Sequence, residues 1–148
     1  MLVQKKVKKL ERIKEIREKL RDAMRAKLNE AENRKKVLVG KASELGNRKN
    51  AAIVTFRDIC GSGSTTTEEL WWIRENIDCL ESEIEGIEHS IDEADKEMEI
   101  IVAELVKKHN DVKLAEELLE DSNKELSKQL IKNEQKELDE RAIMVFRK

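Results

Sequence analysis

From Leu70 onward, apolar residues return at alternating intervals of three and four: Leu70, Ile73, Ile77, Leu80, Ile84, Ile87, Ile91, Ala94, Met98, Ile101 and Leu105. This spacing is an a/d seam, the pattern that makes α-helices wind around one another with a left-handed twist. One ladder of the seam continues through Val112, Leu119 and Leu126, while the other is interrupted at Lys108. Beyond Leu126 the apolar set shifts to Leu130, Leu138, Ala142 and Val145, a change of phase that marks a local break in the heptad. The shaft and the tail are therefore expected to behave differently.

The N-terminal half carries a weaker version of the same pattern. Val3, Leu10, Met24, Ala31, Leu38, Leu45, Ala52 and Ile59 form one seven-residue ladder, with Arg17 interrupting it. Val7, Ile13, Leu20, Leu28, Ala42 and Phe56 read as its companions. The seam thins around Arg34-Lys35-Lys36 and Arg48-Lys49. Gly40 and Gly46 each cost about 1 kcal/mol relative to Ala inside a helix, so a bend or fraying is expected there.

Composition supports long helices and little else. Charged residues make up 42% of the 148-residue chain, aromatics 3%, and proline is absent. So polar a chain cannot build a thick core, and without proline nothing interrupts a helix by removing a donor. Periodic placement of the apolar residues separates it from a disordered polyelectrolyte. No apolar run approaches the ~18 residues of a membrane span, and the basic N-terminus lacks the apolar stretch of a signal peptide. Cys60 and Cys79 make no disulfide framework and fit a reducing compartment.

Between the halves lies the Gly/Ser/Thr cluster Cys60-Gly61-Ser62-Gly63-Ser64-Thr65-Thr66-Thr67. Either Thr65-x-x-Glu68 or Thr66-x-x-Glu69 suits a capping box. The reading is all-α: a single antiparallel coiled-coil hairpin over 1–148, with one helix at 3–59, a tip at 60–66 and a second helix at 67–146. With the turn near Ser64, Val3 falls opposite about residue 125, and roughly the last twenty residues have no counterpart. Charge favours this pairing. Residues 1–67 hold 18 Lys/Arg against 8 Asp/Glu, and residues 68–106 hold 2 against 14. A hairpin lays the basic arm on the acidic one, whereas a parallel dimer sets like against like. A monomer is therefore expected.

Few residues suggest chemistry. Gly61-Ser62-Gly63-Ser64 lacks the Gly-Lys-Ser/Thr ending of a phosphate loop and no strand precedes it. Cys60, Cys79, His89 and His109 match no zinc spacing. Carboxylates on a solvated helix face lack the pocket that tunes a general acid. No catalytic residue, cofactor or metal is expected, and the basic N-terminus lacks the interleaved aromatics of a nucleic-acid binder. Two features fit protein contacts. Trp71 and Trp72 cannot both join a seam that Leu70 and Ile73 already occupy. They suit either a contact patch or a cover over the turn. Leu138, Ala142, Val145 and Phe146 form an apolar stripe on the expected overhang.

The C-terminal run Glu134-Gln135-Lys136-Glu137-Leu138-Asp139-Glu140, followed by Ala142-Ile143 and Phe146-Arg147, resembles the tail of the FliJ family. These are soluble components of the flagellar type III export apparatus. Leu10-x-x-Ile13-x-x-Ile16-Arg17-Glu18 is similar to the family's opening pattern, and the mid-chain break followed by an acidic, aromatic start also matches. The N-terminus departs from it, with Lys5-Lys6-Val7 where members often carry aromatics. The resemblance implies a non-enzymatic stalk in the cytoplasm, peripheral at the inner-membrane base of the flagellum. It implies contacts with the export ATPase FliI, the export-gate protein FlhA and export chaperones. Leu138, Asp139, Glu140, Ile143 and Phe146 would then face the ATPase, and Trp71 and Trp72 the gate or another partner. The stalk of a virulence type III system shares the architecture. A homodimeric coiled-coil spacer is the reading from outside this class.

Overall fold

The computed structural model describes residues 2–147. Two helices account for nearly all of them: α1 (Leu2–Ser62) and α2 (Thr67–Arg147). They pack against each other as a helical hairpin, with no strand among the described residues. The chain divides into two compact units. Unit 1 comprises Met1–Arg25 with Ala103–Lys148, and unit 2 comprises Ala26–Val102.

Unit 2 contains the turn. The helix α1 runs three residues past its expected end at 59, so the tip is 63–66 rather than 60–66. Gly61 alone is too small a penalty to end a helix. The stop comes at Gly63, whose φ of +66° is the left-handed conformation that closes helix C-termini. Ser62 Oγ donates to the Ile59 carbonyl at 2.8 Å and satisfies one of the last free acceptors. On the other side Thr66 is the N-cap: the Glu69 amide donates to its Oγ1 at 3.3 Å, and the Leu70 amide donates to its carbonyl. Glu69 does not complete a reciprocal box, since its carboxylate accepts from the Thr65 hydroxyl at 2.8 Å instead. The fraying expected at Gly40 and Gly46 does not occur: α1 stays helical through both without interruption. Leu38, Ala42 and Leu45 keep the buried side of the helix in place across that stretch.

Charge pairing across unit 2 follows the opposed balances of the two arms. Arg34 meets Glu97 at 3.3 Å, Lys35 meets Asp95 at 2.6 Å and Lys49 meets Glu81 at 3.2 Å. Each such partly exposed pair is worth only tenths of a kcal/mol, yet all three act in the same register.

In unit 1 the seam does not stop at Lys108. Half-buried Lys108 holds the register, and Val112, Ala115, Leu119, Ser122 and Leu126 continue it. Val112 and Ala115 are each 1% exposed. Small side chains let the helices approach at Ala115 and Ser122, which is why these positions are tightly covered without being strongly apolar. The partner face of α1 also differs from expectation. Strict sevens from Val7 lead to Lys14 and Arg21, and these occupy the seam in place of Ile13 and Leu20. Leu20 is 48% exposed. Arg17 reaches across the pair and donates to the Asp111 carbonyl at 2.9 Å. Long cationic side chains can lie along the seam with their heads in water, so the ladder tolerates them.

Candidate interaction surfaces

Unit 1 ends in a length of α2 that α1 does not cover. From Ser127 to Arg147 every residue is exposed, whereas Ser122, five residues earlier, is buried. This places Leu138, Asp139, Glu140, Ile143 and Phe146 on uncovered helix. At ~100° per residue, Val145, Leu138, Ala142, Phe146 and Ile143 lie side by side as one apolar stripe. Asp139 falls within it and Glu140 beside it. Phe146 is 91% exposed. Leu130, Ile131 and Met144 are also more than half exposed. Met144 projects from the other side of the helix, so the terminal turns are apolar over much of their circumference. A continuous helix cannot fold back to hide these groups, and their exposure follows from helix length alone.

Trp71 and Trp72 sit in the second turn of α2 in unit 2. Their rings meet edge to face, with centroids 5.6 Å apart and planes at 77°. Both are more than half exposed. The seam positions beside them, Leu70 and Ile73, are partly covered, which forces the two indoles outward. Edge-to-face contact steadies each ring against the other and presents a broad apolar surface with two indole N–H donors. The tryptophan pair and the tail residues thus lie in different units.

Cys60 and Cys79 are exposed free thiols. His89 pairs with Glu93 on its own helix face at 3.2 Å. No group of three or more potential metal ligands occurs among the described residues, and no described helix is long and apolar enough to cross a membrane. Every buried side-chain nitrogen and oxygen among the described residues has a partner.

The sequence reading missed one group. Ile13, Ile16 and Leu20 on α1, with Leu114 and Leu118 on α2, form a second apolar area in unit 1. The signal was the strict seven-residue count, which puts Lys14 and Arg21 in the seam and leaves Ile13 and Leu20 flanking it.

Comparison with curated proteins and with solved structures gives no match. The family described as the flagellar FliJ protein matches residues 4–148. That span takes in α1 from Gln4 onward, the glycine-containing turn and the whole of α2 with its tail stripe, and the chain therefore belongs to the FliJ family of flagellar export apparatus components.

Proposed function

We propose that this protein is a monomeric stalk, acting as one hairpin over its whole length, that engages the export ATPase ring through its uncovered C-terminal helix and links it to the export gate. The observation that carries this reading is the apolar stripe Leu138–Phe146, fully exposed on a helix whose paired portion buries the residues at its seam. An exposed stripe with Phe146 at its end has the character of an interface anchor. The motif Glu134–Glu140 lies on the same segment. Leu138, Asp139, Glu140, Ile143 and Phe146 are the proposed ATPase contacts. Trp71 and Trp72 are the proposed contacts for the gate protein or an export chaperone, on the strength of their exposure and ring geometry. The role is one of binding rather than catalysis. It places the protein peripherally at the inner-membrane base of the flagellum, held there by its partners.

Co-purification tests this directly. Tagged full-length protein should retain the export ATPase from a lysate of its own source, and retention should drop when Leu138, Ile143 and Phe146 are changed to Ser together. Undiminished retention would remove the tail from the account.

A further inference from the structure

Unit 1 carries an apolar surface that neither the seam nor the overhang uses. In an antiparallel pair the positions flanking the seam meet along each side, g against g and e against e. In unit 2 the g side carries the Arg34–Glu97 ion pair. In unit 1 the same side reads Lys6, Ile13 and Leu20 on α1, and Asp111, Leu118 and Glu125 on α2. Ile16 and Leu114, each four residues before a flanking leucine, widen it outward. Ile16 is 59% exposed, Leu114 50% and Leu118 45%. Ile13 is half-buried. The flanking positions on the other side of unit 1 are polar, Gln4, Glu11 and Glu18 on α1 and Glu116 and Asn123 on α2, beside a shallow groove that Lys14 and Leu119 also line. Single exposed leucines are ordinary, but five branched apolar side chains gathered within two helical turns are not.

The patch has a definite size and border. From Ile13 to Leu20 it spans about 10 Å of helix axis, and Lys6 and Glu125 close it at one end. A second hairpin laid alongside would need about 800 Å² from each partner, and five half-exposed side chains provide only part of that. Two turns of apolar surface over the junction of two helices suit a single helix, whose anchors recur at i, i+3 or i+4, and i+7. The outer edge of α1 is uniformly basic, with Lys5, Lys9, Arg12 and Lys19. The outer edge of α2 presents Glu117 and Asp121 beside the patch, with Lys107 and Lys124 beyond its two ends.

We infer that this face docks one amphipathic helix of a partner protein, its apolar stripe covering Ile13, Ile16, Leu20, Leu114 and Leu118 and its acidic flank lying along α1. The partner helix would complete a local three-helix bundle, and its opposite flank would carry basic residues toward Glu117 and Asp121. This site is separate from the C-terminal stripe and does not depend on it.

Fluorescence anisotropy with a labelled peptide tests the inference. The probe is a three-heptad helix with Leu at its a and d positions, Glu along one flank and Lys along the other. A twin peptide carries Lys on both flanks. Full-length protein should bind the first at least tenfold more tightly than the twin. The double substitution Ile16→Lys with Leu114→Lys should weaken binding at least tenfold, with an unchanged thermal melt by circular dichroism because both residues lie off the seam. Truncation after Asn133 should leave binding intact, which separates this site from the tail. Equal binding of the two peptides, or of the double variant, would overturn the inference. So would a concentration-dependent dimer in sedimentation that the double variant abolishes, since a second copy would then be the occupant.

Discussion

Two stretches of α2 within unit 1 differ sharply although they belong to one helix. Over 103–126 the seam side is covered by α1, and Val112, Ala115 and Ser122 are almost inaccessible. Over 127–147 nothing is covered. Apolar content does not explain the contrast. The uncovered stretch holds Leu130, Ile131, Leu138, Ile143, Met144, Val145 and Phe146, while two of the best-buried positions of the covered stretch are Ala115 and Ser122. What differs is the presence of an opposing helix. A residue is buried here because α1 lies across from it, and past Leu126 α1 covers none of the described residues. Side chains in the covered stretch hold the hairpin. Those in the uncovered stretch contribute nothing to it and are free to serve a partner.

Substitutions break that comparison in order of size. Val112→Asp places an unpaired charge between the helices and should cost on the order of 4 kcal/mol, visible as a large drop in thermal midpoint. Leu138→Asp, the same kind of change on the uncovered stretch, should leave the midpoint where it is. Equal effects of the two would mean that the tail is packed in solution. Phe146→Ala should be silent in the melt but weaken ATPase binding by about 2 kcal/mol, measurable by titration calorimetry. Smaller still, Thr66→Ala removes the N-cap of α2 in unit 2 and should lower stability by about 1 kcal/mol in urea unfolding. A null result there would mean that Thr65 takes over the cap.

Much of this was legible in the sequence, because an a/d repeat fixes both the element and the face it buries. The seam from Leu70 to Leu105, the turn near Ser64 and the length of the overhang all follow from counting. Apolar identity misleads where it disagrees with the count. Ile13 and Leu20 look like seam residues, yet strict sevens give Lys14 and Arg21. The methylene stems of Lys and Arg can line a two-helix seam that has no second layer behind it. Lys108 looked like a break for the same reason. In a thin hairpin a seam residue needs only to lie along the junction, so one cation does not end the register. The Gly/Ser/Thr cluster from Cys60 onward points to a helix end at 59, but α1 runs on to Ser62, since among the described residues the left-handed conformation comes only at Gly63. For the tail, the lack of an opposing helix follows from the hairpin register, but the partner proposed for it rests on the family pattern and not on the physics of the helix.

The central claim is that the covered part of α2 holds the fold while the uncovered part serves the ATPase. Truncation after Asn133 addresses both halves in one protein. The truncated hairpin should melt within a few degrees of the full chain, since no buried residue is lost. Mixed with the purified export ATPase, it should fail to stimulate ATP hydrolysis at concentrations where the full chain does so. Full stimulation by the truncated protein would contradict the account and move the search for the ATPase contact away from the tail.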